Sequence, residues 1–578
     1  MIGLRFFFTL QVACLTALAS QSLPPPQNLL HGVVANSSQC RCFPGDACWP
    51  SEEAWSNLNA TLDGRLVATI PIASVCHDSS STPYSAEACE QLRLDWADPN
   101  IHSDSSSSVM AAFFANMSCD PFTAPEAQCV IGTYVQYAVN ASSARDFQLT
   151  LAFAQENNIR LVIRNTGHDY MGKSTGAGGL AIWTHHLKDI TIHDYVSDAY
   201  TGKALTVGAG VQVHEALTAA HAEGLVIVGG DSSNVGLAGG YSQGGGHGPL
   251  ASTFGLAADQ VLEWEVITAT GQHLKANATD NTDLYWALSG GGGGTYGAVL
   301  SATVKAHPDV QVAIANLTFA NPNPTSEAYY DTVKVFLGSL PNITDNGAVC
   351  IWLLSNDSLT IQSLTAPGFT SQKLQSLLQP TLEKLDRELI PYAYAVEDFP
   401  TFLDSYHSMS VDPPASEGSF GSRLISRSLL SSDSSIASLT AALRFIVSKG
   451  ALISGLSVNV SRTPTTPNSV NPAWRTAAFS AVVGMYWNQT SFEANIKDQQ
   501  LIRNVLIPRL ADLTPHGGAY MNEADFGQPD WQYVFYGENY GRLLAIKEKY
   551  DPYDLFYGLT AMGSEAWISQ PDGRLCRA

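Results

Sequence analysis

The sequence predicts an α+β protein with two main domains behind a cysteine-rich lead-in, and three observations carry that prediction. From about residue 123 to 308, short β-rich runs alternate with helical stretches, and glycine marks the joins. From about 309 to 510, apolar strand-like runs flank two long helical patterns. Hydrophobic residues make up 45% of the 578-residue chain and charged residues only 14%, which suits a large packed core and excludes a disordered chain.

Residues 1–19 read as a secretory signal peptide. Arg5 supplies the positive region, Phe6 to Leu18 the apolar region and Ala17-Leu18-Ala19 the small-residue cleavage site. The apolar stretch stops at Ser20-Gln21, ahead of Pro24-Pro25-Pro26, and no later run is long and apolar enough to span a bilayer. Residues 20–122 form the Ser-, Pro- and Cys-rich lead-in. Of the 10 cysteines, Cys14 leaves with the signal, and Cys40, Cys42, Cys48, Cys76, Cys89, Cys119 and Cys129 cluster before residue 130. Cys350 and Cys576 complete an odd set, so disulfide staples formed in an oxidising compartment leave one thiol over. The spacing of Cys40, Cys42 and Cys48 is poor for tetrahedral zinc, and no metal site is predicted. Asn-x-Ser/Thr sequons from Asn36 to Asn488 add N-glycosylation to the expectation of a secreted protein. A net charge of −22 argues against nucleic acid or an anionic membrane as partner, because both need a basic footprint.

The first domain, 123–308, is expected to hold a helix from Ala144 to Glu156 and strands at Leu161 to Ile163, Ala204 to Val207 and Val261 to Thr268. The second, 309–510, should hold strands at Val349 to Leu354 and Phe479 to Trp487 with helices at Ser371 to Glu388 and Ser435 to Val447. Its Tyr394, Phe399, Tyr406 and Trp487 either line a substrate pocket or pack the core. The tail, 511–578, carries a helix from Tyr540 to Lys549 that Asp551-Pro552 stops.

Two glycine-rich segments hold the chemistry. The first, Arg164-Asn165-Thr166-Gly167-His168-Asp169-Tyr170-Met171-Gly172, follows a strand. With Lys173-Ser174 it satisfies the P-loop pattern, but Thr175 to Gly179 is too glycine-rich for the helix that motif must open, and a strand follows instead. The second runs from Asp231 through Val235-Gly236-Leu237-Ala238-Gly239-Gly240 to Gly244-Gly245-Gly246-His247-Gly248. Gly208-Ala209-Gly210 lacks the third glycine of a dinucleotide fingerprint, so a nicotinamide enzyme is not supported. Glycines at this density let backbone N–H groups approach a phosphate or a flat ring.

Arg164 to Gly172 resembles the Arg-Ser-Gly-Gly-His-Ser/Asp-Tyr-x-Gly loop of the berberine bridge enzyme-like flavoproteins, in the vanillyl-alcohol oxidase superfamily. The segments Val235 to Gly248, Gly255 to Val261, Asp283 to Leu288 with Gly290 to Gly294, and Gly518 to Asp525 with Trp531 and Tyr536 to Tyr540 are similar to further elements of that family. The resemblance implies a two-part PCMH-type FAD-binding domain, a substrate domain with an antiparallel sheet covered by helices, and a C-terminal segment returning to the flavin. It implies FAD bonded through His168, with cofactor contacts from Arg164, Asn165, Thr166, Gly167, Asp169, Ser232, Val235, Gly236, Gly240, Asp259, Val266 and Asn539. Some relatives form a second bond through a cysteine where this chain has Ser232. A serine hydroxyl is too weak a nucleophile to replace a thiolate, so a single covalent link is expected.

Val235 falls where the family controls oxygen access, which favours an oxidase over a dehydrogenase, although it can equally serve packing alone. His247 either touches the flavin or fills the loop. Oxidising an alcohol needs a base within hydrogen-bond reach of the O–H, and Tyr520 and Glu523 are the two candidates. On an extended segment they face opposite ways, unless the strand ends near Asn522 and turns Glu523 inward. The implied activity is hydride transfer from an alcohol, sugar or secondary metabolite to FAD, then reduction of O2 to H2O2. A dehydrogenase using another acceptor and a non-catalytic flavin-binding protein are the rivals. Small-molecule substrate and O2 are thus the expected partners.

Overall fold

The structure, a computed structural model, describes residues 39–78, 82–321, 326–409, 415, 418–462 and 464–578. The expected signal peptide and the sequon at Asn36 lie outside these residues.

Three sheets organise the chain. In the first, Tyr137–Asn140 and Leu161–Arg164 pair in parallel with Leu180–Trp183, and Leu66–Ala68 adds an antiparallel edge. The lead-in therefore contributes a strand to the first domain. The helix Ala144–Glu156 connects two of these strands, and its first turn is fixed by the Ser143/Asp146 capping box. Asp146 also accepts a 2.6 Å hydrogen bond from Arg65. The second sheet is antiparallel, in the order Ile190–Val196, Thr201–Gly208, Ala298–Lys305, Val261–Ile267, His273–Asn277.

The third sheet has seven antiparallel strands, in the order Tyr392–Phe399, Val312–Ala320, Ser358–Pro367, Val349–Leu354, Leu452–Ser457, Ala477–Tyr486, Gly418–Ser426. The helices Glu327–Asp345, Ser371–Glu388 and Asp433–Val447 cover one face. Along Ser371–Glu388 the buried residues are Leu374, Leu377, Leu378, Thr381, Leu382 and Leu385, the i, i+3, i+4 stripe of an amphipathic helix. They meet Cys350, Trp352, Leu354, Ile361 and Ile453 in one apolar cluster. Alternation then fixes the opposite face: Ile351 and Leu353 must point away from the helices. All of these strands fall within the expected 309–510.

Among the described residues, four disulfides, Cys40–Cys576, Cys42–Cys48, Cys76–Cys89 and Cys119–Cys129, leave Cys350 as the free, buried thiol. One of them ties the lead-in to the tail across a sequence separation of 536. None of the described sequon asparagines is buried. Among the described residues, no helix is long and apolar enough to cross a membrane.

Candidate active site

A cavity of about 650 Å³ runs between the two glycine-rich segments and the face of the seven-stranded sheet turned away from its three long helices. Asn165, Thr166, Gly167, His168, Asp169, Ser232, Val235, Gly236, Gly240, Tyr520 and Glu523 all line it. Lining residues from Leu161 to Gly558, 397 positions apart in sequence, are thus folded around one space.

The first loop leaves the strand Leu161–Arg164 and is shaped from within. Asp169 accepts hydrogen bonds from the backbone N–H of Met171 (2.8 Å) and Ser174 (2.7 Å), closing a tight turn. Gly167 sits at φ +82°, and a Cβ there would lie 2.7 Å from the Arg164 guanidinium, so only glycine fits. A Cβ on Gly236 would likewise come within 2.1 Å of Asn165 Oδ1. After Gly172 the chain turns and enters the strand Leu180–Trp183, not a helix, so the P-loop geometry is absent here.

Four expected cofactor contacts lie behind the cavity wall rather than on it. Arg164 is fully buried, and its guanidinium donates to the carbonyls of Ser105 (3.1 Å) and His102 (2.7 Å), so it braces the loop from beneath. Asp259 is engaged by Arg475 at 2.7 and 2.8 Å. Val266 is fully buried, one layer behind the cavity-lining Gly297. Asn539 donates to the Ser469 carbonyl at 3.1 Å. The four second-domain aromatics singled out in the sequence do not line the cavity: Tyr406 is buried with its hydroxyl donating to the Gly230 carbonyl (3.0 Å), and Tyr394, Phe399 and Trp487 also lie off the cavity wall.

The loop histidine is tied to its neighbours. His168 Nε2 meets Asn234 Oδ1, which also accepts from the Ser232 hydroxyl at 3.0 Å. An imidazole donating through Nε2 carries its lone pair on Nδ1.

The tail turns at the point where the strand had been expected to end. The Glu523 N–H donates to the Tyr520 carbonyl (3.0 Å), and that turn brings Tyr520, Asn522 and Glu523 to the same cavity. Asp525 pins the turn, accepting from Arg503 at 2.6 and 2.7 Å and from Gln499 at 3.0 Å. Asn522 Nδ2 donates to the Tyr520 hydroxyl and to the Gly240 carbonyl, both at 2.9 Å. Burial and then the Glu523 charge push the Tyr520 phenol well above its usual range.

Sequence reasoning left His247 open and missed what it does. Its Nε2 lies 2.8 Å from Glu523 Oε1, a residue 276 positions away, and its Nδ1 lies 3.5 Å from Asp231 Oδ2. Burial opposes the charge, but the two carboxylates prevail and raise the imidazole to about 10. Lys173 was visible only as a letter of the false P-loop. It lines the cavity beside Gly558, makes no ion pair among the described residues, and burial lowers its ammonium to about 8 against the pull of Asp169.

The residues present fit a flavin dinucleotide. The glycine positions leave a cradle that side chains would fill, Lys173 offers a cation for a diphosphate, and Asn165 Oδ1 and Gln243 Oε1 are buried acceptors without a partner among the described residues. Residues 135–277 match the family described as FAD binding domain, and residues 519–558 match berberine and berberine like. The chain is 48% identical over 570 residues, 98% of each chain, to the FAD-linked oxidoreductase sor8 of Hypocrea jecorina (strain QM6a).

The chain belongs to the berberine-like, vanillyl-alcohol-oxidase-type FAD oxidoreductases.

The crystal structure of the VAO-type flavoprotein MtVAO615 from Myceliophthora thermophila C1 superimposes with a TM-score of 0.90 at 41% identity, covering 93% of this chain and 100% of that one. The carbohydrate oxidase of Microdochium nivale shares the fold at a TM-score of 0.61 and 20% identity, covering 74% of this chain and 92% of that one. The family's two-part FAD-binding domain corresponds here to the first two sheets, and its substrate domain to the seven-stranded one.

Proposed function

We propose that this flavoprotein is a secreted, N-glycosylated oxidase that converts an organic alcohol to the carbonyl compound, with its FAD held by one bond to His168. The carrying observation is the single cavity that joins His168 and both glycine loops to Tyr520, Asn522, Glu523 and His247. FAD, held by His168 and the two glycine loops, would supply the hydride acceptor and the route by which the electron pair, with two protons, reduces O2 to H2O2.

The chain's own residues manage the proton. Glu523 accepts the substrate's hydroxyl proton as the C–H bond breaks and its electron pair leaves as hydride. Tyr520, held as the neutral phenol by burial, cannot be that base and instead donates to the substrate oxygen. Asn522 orients the phenol from the other side. The His247 imidazolium, flanked by Asp231 and Glu523, keeps the two half-buried carboxylates from repelling one another. Asp231 retains it when Glu523 takes the proton.

The single link is favoured because the Ser232 hydroxyl is committed to Asn234, and the Nε2 donation of His168 leaves Nδ1 as the nucleophilic nitrogen. Val235 on the cavity wall, and a relative named VAO-type flavoprotein oxidase VAO615, support O2 as acceptor. Secretion rests on the leader-like residues 1–19 and the accessible sequons.

The test has three readouts. Denatured protein should keep flavin fluorescence on a gel, and His168→Ala should abolish that band. Turnover should release H2O2 under air. Dye reduction without peroxide would overturn the oxidase assignment, and a colourless denatured band would overturn the covalent link.

A further inference from the structure

The face of the seven-stranded sheet turned away from its three long helices forms the cavity wall opposite the glycine loops. Ile351, Leu353, Leu452, Leu456 and Val482 supply aliphatic surface, and among the described residues no Asp, Glu, Lys, Arg or His from this sheet lines the cavity. Its hydroxyls are few. Ser363 is engaged with Thr365 at 2.8 Å, which leaves Ser454, the Gln362 amide and the exposed Tyr486 phenol.

Two of its strands pair glycine with an aromatic ring twice over. Gly418 stands opposite Tyr486, and Phe420 opposite Gly484. A Cβ on Gly418 would lie 2.2 Å from Phe420 Cζ, and one on Gly484 would lie 3.2 Å from the same ring. The Phe420 ring is therefore laid down over both glycines instead of standing off the sheet, and Tyr170 abuts it at 5.1 Å between centroids. The result is an aromatic platform on the sheet wall of the cavity that Tyr520, Asn522, Glu523 and His247 also line.

Building on the proposed oxidase, we infer that its substrate is a flat, neutral, aromatic or conjugated alcohol that stacks on Phe420 with its hydroxyl toward Glu523, and that oligosaccharides are excluded. A sugar ring would bury several hydroxyls against aliphatic walls, and each one left without a partner costs about ten- to a hundredfold in affinity. A conjugated ring meets the same walls without that loss and gains by stacking.

Calorimetric titration of the holoprotein with cinnamyl alcohol, 1-hexanol and cellobiose tests this, with the visible flavin band recorded on the same sample. Cinnamyl alcohol should bind, and cellobiose should not compete with it. Phe420→Leu should weaken cinnamyl alcohol about tenfold while leaving 1-hexanol within about twofold. Gly484→Val, which lifts the ring off the sheet, should act in the same sense. Binding of cellobiose tighter than cinnamyl alcohol, silence of cinnamyl alcohol in a protein that carries its flavin, or equal losses for the two alcohols in Phe420→Leu overturns the inference. A missing flavin band instead overturns the cofactor reading, and the ligand titrations then still report on the wall itself.

Discussion

Replacing Glu523 by Gln keeps the side chain's shape and an oxygen for His247, but removes the charge that helps hold a proton on the imidazole. The two groups are 2.8 Å apart at their nearest atoms, and their side chains are 13% and 27% exposed for His247 and Glu523. Charge centres about 4 Å apart in a medium of effective dielectric about 20 interact by about 4 kcal/mol, or about three units of pKa. His247 should therefore fall from about 10 to about 7, since Asp231 remains at 3.5 Å. The raised folded value makes this a stabilising proton. Its contribution is full below the unfolded histidine value of about 6.5 and is lost as pH rises through about 10. Between those limits the native state holds one more proton than the unfolded chain, so this group lowers stability by about 1.4 kcal/mol per pH unit. In Glu523→Gln that slope should vanish above about pH 7. Urea unfolding of both proteins at pH values from about 7 to 9 reads the slope directly. The variant should also lose about 10²–10⁴-fold in kcat if Glu523 is the base. Equal slopes in the two proteins would refute the claim that Glu523 charges His247.

Other consequences follow from buried ions and the long disulfide. On flavin-free His168→Ala protein, Lys173→Met should weaken ADP binding at least about tenfold and leave adenosine unchanged, measured by calorimetry, because only the diphosphate meets the ammonium. Lys547 and Asp551 are buried at 2.6 Å, and Asp551 also accepts from the backbone of Leu555 and Phe556, whose segment closes the cavity. Lys547→Met should cost about 3–5 kcal/mol in urea unfolding by stranding that carboxylate. The double variant Lys547→Met/Asp551→Leu should recover part of the loss. Cys576→Ser, which opens the Cys40 bridge, should lower stability by about 2–5 kcal/mol in urea unfolding.

Much of the fold could be read locally. The helix expected from Ala144 to Glu156 is the helix observed, as is that from Ser371 to Glu388, because caps and apolar stripes are written within one or two turns. The strand at Val349 to Leu354 likewise matches, and the turn after Tyr520 took the second of the two paths foreseen for Glu523. Arg164, Asp259, Val266 and Asn539 went the other way. A motif gives a residue's place along the chain, but which way its side chain faces depends on what packs beneath it: the carbonyls of Ser105 and His102 for Arg164, and Arg475 for Asp259.

By itself, then, the sequence determined the periodic elements, the two glycine loops and the position of His168, since each depends on neighbours a few residues away. Only tertiary structure decided that His247 lies between Asp231 and Glu523, that Phe420 lies flat on glycines of two strands, and that Cys40 reaches Cys576. Those contacts join residues tens to hundreds of positions apart, and it is burial in a shared low-dielectric space, absent from any local pattern, that turns them into chemistry.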